Sequence, residues 1–237
     1  FPILIKFIDA QKDLSIQVHP NDSLAEERHN GKGKTEMWYI MQAEPGARLL
    51  LGFNKDYTPA QYKEHLNNKT LMDILHQEAV EKGNAYFIKA GTVHAIGAGI
   101  VLAEIQQTSD ITYRVYDFDR VNAEGNTREL HTELALEAID FEPATEASLE
   151  YKKRQNQSSF LVDSPYFKTN ILPVDGFVTL ELGSRDSFTI LMAVEGEISI
   201  EHDSHSLQLA AGSTCLIPAS LAGIRLKGQG ELLEITL

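Results

Sequence analysis

Short segments in which apolar and polar residues alternate leave this chain few folds to adopt. Residues 3–8, 14–19, 36–41, 48–53, 84–88 and 101–107 follow the two-residue period of a strand with one buried face. Turn residues separate them, among them Asn30-Gly31, Pro45-Gly46 and Gly97-Ala98-Gly99. Many short strands at this spacing predict an all-β sandwich or barrel. Helical signals interrupt the first half twice. Thr58, Pro59 and Gln61 read as N-cap, first-turn proline and capping-box partner of a helix running to about residue 66. Thr70-Leu71-Met72-Asp73 opens a second short helix through about His76. Together they predict a helical insertion over about 58–76, packed outside the barrel.

The pattern changes after Arg120. Residues 120–131 are polar and loop-like, 132–139 read as a helix, and 141–159 have the composition of a linker. Strand patterns resume at 177–182, 188–194, 197–201, 213–217 and 231–236. The stretch "VEGEISI…LAAGSTCLIPASL" echoes the earlier "VEKGNAYFIKAGTVHAI", so two similar small barrels are expected in tandem. The expected division is a first domain over 1–140, the linker over 141–159 and a second domain over 160–237.

Charge narrows the function. Thirty-four acidic residues against 21 basic ones give a net of −13, a surface that repels phosphate backbones and argues against nucleic-acid binding. A small phosphorylated ligand needs only one or two local cations and stays open. No apolar run approaches the roughly 20 residues of a membrane helix, so no membrane partner is expected. The single cysteine, Cys215, excludes an internal disulfide and fits a reducing cytoplasm. The chain opens inside an apparent strand and without Met, and is expected to be a fragment that exposes a sheet edge.

One strand carries an unusual polar face. In "DLSIQVHPND", Leu14, Ile16 and Val18 form an oily face, while Gln17 and His19 project together from the other. Glu36 opens a later strand in "GKGKTEMWYI", and His94 follows a glycine turn in "FIKAGTVHAIGAG". Gln17, His19, Glu36 and His94 from separate strands could converge on one divalent ion with a coordination position left open, as in a catalytic metal site. The plain alternatives stand beside this: a histidine at a strand end is often a hydrogen-bonded structural residue, and Glu36 could face solvent at an edge. His29, His65, His76 and His131 read as surface or capping groups. Trp38 shares the face of Glu36 and could wall a pocket or fill the core, and Glu104 and Gln106 share one strand face behind the ligands.

"SIQVHPND", "GKTEMWYI", "GTVHAIGAGIVLAEIQQTSDITYRVYDFDR" and "GSTCLIPASL" together resemble type I mannose-6-phosphate isomerase in its short bacterial form. The likeness runs in order through almost the whole chain. It implies cupin-type β-barrel or jelly-roll domains in tandem, with the helical insertion and a helical linker. It implies one zinc ion per chain, held by Gln17, His19, Glu36 and His94. It also carries over Lys34, two places before the glutamate, and the spacing of Asp110 and Arg114, with the Arg and Lys facing a sugar phosphate or a developing enediolate. The implied reaction interconverts mannose 6-phosphate and fructose 6-phosphate, with Lys34, a bound water or Asp110 as proton-transfer base. Bland readings remain open: Lys34 as a solvated loop residue, and Arg114 in a salt bridge with Asp110.

Two departures from the family pattern bear on activity. Gly33 stands where longer members have a histidine, and a leading segment with a "GESWE"-like motif is absent. They leave room for a sugar-binding cupin without turnover. An iron-dependent cupin oxygenase is a third reading, opposed by the Gln ligand and by the cations Lys34 and Arg114. In the second domain His202 and His205 lack matching partners, and no metal is expected there. A monomer or weak homodimer is the expected assembly.

Overall fold

The computed structural model describes residues 1–237 except Asn122, in the polar stretch 120–131, and Thr145 and Glu146, in the expected linker. Those three positions lie outside the described residues. The chain is mainly β and divides into two compact units, residues 1–149 and 150–237.

In the first unit the elements run β1 (Ile3–Ala10), β2 (Ile16–Val18), α1 (Asp22–His29), β3 (Glu36–Ala43), β4 (Arg48–Phe53) and α2 (Pro59–Asn67). A 3₁₀ turn (Leu71–Asp73) leads to β5 (Leu75–Ala79), β6 (Ala85–Ile88), β7 (His94–Ile96), β8 (Ile100–Gln107), β9 (Tyr113–Tyr116) and α3 (Thr132–Ala138). A four-stranded sheet has the order β1-β8-β3-β6, and a five-stranded sheet β5-β4-β7-β2-β9. One apolar cluster takes residues from both, among them Trp38, Ile40, Leu49, Leu51, Ile96 and Leu102. A second cluster, including Ile16, Val18, Leu50, Tyr62, Val93, Ala95 and Ala135, covers the other face of the five-stranded sheet with α2 and α3. The strand that carries Gln17 and His19 is therefore buried on both faces. Its oily side meets the helices, and its polar side turns toward the opposing sheet.

Several sequence expectations change here. The second helix is only the 3₁₀ turn, and His76 lies in β5, whose pairing with β4 overrides the weak helical signal. α1 is an additional helix, started by Asn21, whose side chain accepts from the Leu24 N–H, and closed by Asn30 in the left-handed region. It carries almost no apolar stripe, so periodicity gives no sign of it. Among the described residues of 141–159 there is no helix. The first part of this segment completes the first unit: Phe87 N–H donates to the Ala147 carbonyl and Leu149 N–H to that of Ala85. These bonds satisfy the edge of β6, which would otherwise leave a row of unpaired backbone groups.

The second unit comprises β10 (Ser159–Asp163), β11 (Lys168–Glu181), β12 (Thr189–His202), β13 (His205–Ala210), β14 (Thr214–Ile217) and β15 (Gly223–Thr236). Its sheet has the order β10-β11-β15-β12-β13, with β14 also on β12. The expected strands 188–194 and 197–201 are one strand, kinked by a bulge between Ala193 and Glu195. Gly196, at φ 69°, makes the continuity feasible, because a Cβ there would meet the Gln229 carbonyl at 2.1 Å. Neither unit forms a closed barrel; all three sheets are open.

Tyr62 of α2 is fully buried in the helix-side cluster, and its hydroxyl finds no hydrogen-bond partner. A buried unpaired hydroxyl costs about 1–3 kcal/mol, so Tyr62→Phe is expected to stabilise the chain by about 1 kcal/mol. Tyr62→Ala should instead cost about 3–5 kcal/mol through the cavity it opens. Urea unfolding of the three proteins tests both; a destabilised Tyr62→Phe would show that the hydroxyl has a partner.

Candidate metal centre

β2 lies between β7 and β9, and the register sets Gln17 opposite His94 on one side and Arg114 on the other. Three polar side chains thus form one row across the inner face of the five-stranded sheet. His19 extends the row just past the end of β2. From the opposing sheet comes Glu36, the first residue of β3, with Lys34 two residues earlier. His19, Glu36 and His94 are fully buried, and their ligand atoms lie within 4.8 Å of one another.

Both imidazoles are fixed by main-chain carbonyls. His19 Nδ1–H donates to Ile111 O at 3.1 Å, and His94 Nδ1–H donates to Thr92 O at 2.8 Å. Each ring therefore turns an Nε2 lone pair inward. His94 Nε2 stands 3.2 Å from Glu36 Oε1, and His19 Nε2 stands 3.7 Å from Glu36 Oε2. Two acceptors that close repel unless a cation sits among them. His19 Nε2 and both Glu36 oxygens are buried without a hydrogen-bond partner. Unpaired buried polar atoms are costly and uncommon, and three in one cluster are the signature of a cation site. The Gln17 amide lies 3.2 Å from His94 Nε2, and turning it over would present its oxygen as a further donor.

The electrostatics agree. Burial pushes His19 well below the usual imidazole range, outweighing the pull of Glu36. For Glu36, burial works to raise the carboxyl, but His19, His94 and Lys34 hold it well below the usual carboxylate range. Lys34 Nζ lies 3.5 Å from Glu36 Oε2. Lys34 is only 7 % exposed, so it is no solvated loop residue. Gly33 beside it cannot carry a side chain: a Cβ there would meet Asp22 N at 2.5 Å and the Asn21 carbonyl carbon at 2.6 Å.

The other expected residues separate. Arg114 makes no ion pair with Asp110 among the described residues; its Nη1 donates to Glu129 O at 2.9 Å, and its Nε is buried without a partner. Asp110 is exposed, one residue before the Ile111 carbonyl that fixes His19. Trp38 fills the core: it is fully buried in the apolar cluster, packs edge-on to His94, ring centres 5.4 Å apart, and its Nε1–H donates to Glu104 Oε2 at 3.2 Å. Glu104 in turn accepts from Lys6 Nζ at 2.5 Å, and Gln106 also accepts from Lys6. Burial, then the charge of Glu36, raise the Glu104 carboxyl. Lys6 was the missed member of this wall; a lysine amid the apolar "ILIKFI" was its one sequence signal. A cavity of about 320 Å³ lined by Gly52, Phe87, Lys89, Asp140 and Thr92 touches this centre only through Thr92. The converging lone pairs, not that hollow, locate the chemistry.

In chelator-treated protein His19 and Glu36 set a pH dependence of stability. Unfolded His19 takes up a proton as pH falls below about 6.5 while folded His19 does not, so the unfolded state binds more protons. Glu36 acts in the same direction at lower pH, its stabilising charge being lost only as pH drops through its depressed native value. The thermal midpoint should fall from pH 7.5 to 5.5 by the order of a few degrees, and His19→Asn should flatten that fall. A flat wild-type profile would show that His19 ionises freely. Gly33→Ala should lower both the midpoint and the metal content measured by plasma emission.

The profile of "Phosphomannose isomerase type I, catalytic domain" matches residues 1–45, and that of "Mannose-6-phosphate isomerase, cupin domain" matches residues 156–237. Over 234 residues, 98% of this chain and 73% of the relative, the sequence is 34% identical to mannose-6-phosphate isomerase ManA of Bacillus subtilis. Over 238 residues, 98% of the chain and 73% of the relative, it is 32% identical to mannose-6-phosphate isomerase of Streptococcus mutans. The crystal structure of mannose 6-phosphate isomerase from Bacillus subtilis superposes with a TM-score of 0.91 at 29% identity, covering 100% of this chain and 76% of that one. With a buried donor cluster of this kind and relatives of this identity over nearly its whole length, the chain belongs to the type I phosphomannose isomerase family.

Proposed function

We propose that this chain interconverts mannose 6-phosphate and fructose 6-phosphate at one zinc ion held by His19, Glu36 and His94, with the Gln17 amide oxygen as fourth donor. The observation that carries this reading is the set of inward lone pairs on His19, His94 and Glu36, buried together without hydrogen-bond partners for three of the atoms. The relatives named mannose-6-phosphate isomerase supply the reaction. When bound, the ion supplies a Lewis acid for the substrate's carbonyl and hydroxyl oxygens, and one carboxylate leaves it with net positive charge.

The protein's own residues do the rest. Aldose–ketose exchange opens the sugar ring, moves a proton between adjacent carbons and carries negative charge on an enediolate in between. Lys34, nearly water-free and 3.5 Å from a ligand oxygen, is placed to carry that proton between C1 and C2. Asp110, the other side chain considered for this role, is exposed. Arg114 lies in the same row as Gln17 and His94, and its Nε has no protein partner, so it can receive a phosphate or enediolate oxygen. Trp38 keeps water from the inner wall and holds the His94 ring. We read the two units as tandem cupin jelly rolls, of which the second holds no metal: its core is lined by Leu172, Leu191, Leu226 and Leu232.

Lys34→Ala and Arg114→Ala should each lower kcat/KM in a coupled isomerase assay by about 10²-fold. Zinc content should stay at one per chain in both, since neither residue is a ligand. Wild-type protein should also exchange the substrate's C2 proton with deuterated water. Zinc binding without that exchange would leave a sugar-binding protein instead, and iron with oxygen consumption an oxygenase.

A further inference from the structure

Arg114 does not hold its own position. β9 is an edge strand, and residues 129–131 lie along its open side. Arg114 N–H donates to His131 Nδ1 at 3.0 Å, His131 N–H donates to Arg114 O at 2.8 Å, and Arg114 Nη1 donates to Glu129 O at 2.9 Å. All three bonds join Arg114 to a short exposed strap. The strap is tied down at Arg128, whose Nε donates to Asp117 Oδ2 at 2.7 Å and whose Nη2 reaches Asp117 Oδ1. Asp117 is buried just past the end of β9 and is gripped from the other side by Arg120, which also donates to the Asp13 carbonyl. Both carboxylate oxygens are therefore used, in a planar fork that favours arginine over lysine. Hydrogen bonding from Arg128, against the cost of burial, holds the Asp117 carboxyl below its ordinary range.

We propose that the Asp117–Arg128 pair is a latch that fixes the strap 128–131 and, through the Glu129 carbonyl and the His131 ring, aims the Arg114 guanidinium at the anionic oxygens of the substrate. Asp117, Arg128 and His131 are then positioning residues, none of which touches substrate. This rests on the reading of Arg114 as an anion-binding group. A one-ångström displacement of such a group costs far more in turnover than in stability. The latch matters because Arg114 spends one of its five donors on the Glu129 carbonyl, directly after Arg128 in the chain.

A double-mutant cycle separates positioning from scaffolding. Arg128→Gln should lower kcat/KM for mannose 6-phosphate by about tenfold in the wild-type background, and less than about twofold when Arg114→Ala is already present. Arg128→Lys, which keeps the charge but not the fork, should restore less than half of the loss, and it serves as the test variant if Arg128→Gln does not fold. Zinc content and thermal midpoint, measured alongside, show that each variant is intact. An equal loss in both backgrounds, or full rescue by Lys, overturns the latch. An inactive Arg114→Ala with a fully active Arg128→Gln also overturns it, whereas a fully active Arg114→Ala removes the anion-binding role of Arg114 itself, and the latch with it.

Discussion

Three lone pairs that point at one another, buried between two packed sheets, cannot be left uncompensated. His19 and His94 have no freedom to avoid the conflict, because the carbonyls of Ile111 and Thr92 hold the protons on their outer nitrogens. Glu36 has none either, since it starts a central strand paired on both sides, with Ile88 and Gln106. The scaffold spends its most rigid positions on an arrangement that only a bound cation relieves. Lys34 sits beside the cluster, its Nζ 3.5 Å from Glu36 Oε2.

The layering follows from this constraint. A strand with a polar inner face cannot take its hydrophobic stabilisation from the sandwich interior at that end. β2 takes it from outside instead, where Ile16 and Val18 pack with Tyr62, Ala135 and Tyr113 under the helices. The remainder of the interior, around Trp38, Leu49 and Leu102, is apolar and closes the sandwich beyond the centre. The helices are thus more than an insertion on the surface. They are the second half of the core that lets the inner face carry chemistry.

What the sequence disclosed and what it hid divide along locality. The capping box of Thr58 and Gln61 and the strand signal of 48–53 are local, and both elements appear where the residues place them, although β4 is buried on both faces rather than alternating. Candidate donors stand out in the sequence too, because a Gln and a His side by side on an otherwise apolar strand need a reason. α1 stays hidden because it has almost no apolar stripe and is held by Arg28 and His29 reaching Leu134 of α3 and Tyr113, both distant in sequence. The division of 188–201 into two strands fails because Gly196 looks like a turn until Gly230 is known to lie opposite it. The His19 lock on Ile111 and the Arg114 strap are contacts to main-chain groups of other segments, and side-chain patterning carries no trace of them.

Gly33 shows why a departure from a family pattern need not be a loss of function. Lys34 is aimed by the turn that precedes it, in which Gly33 N–H donates to Asp22 Oδ1 at 2.8 Å and Lys34 N–H to the Pro20 carbonyl. That turn lies so close to the start of α1 that any side chain at 33 would collide with backbone, not with a movable neighbour. A histidine there would require a different path for residues 20–22, and those residues directly follow His19. In this chain the close approach of two backbones does the work of placing the lysine, and the short rigid connection between His19 and α1 is what permits it. Geometry at the ligand strand and side-chain identity at position 33 are therefore one choice, not two.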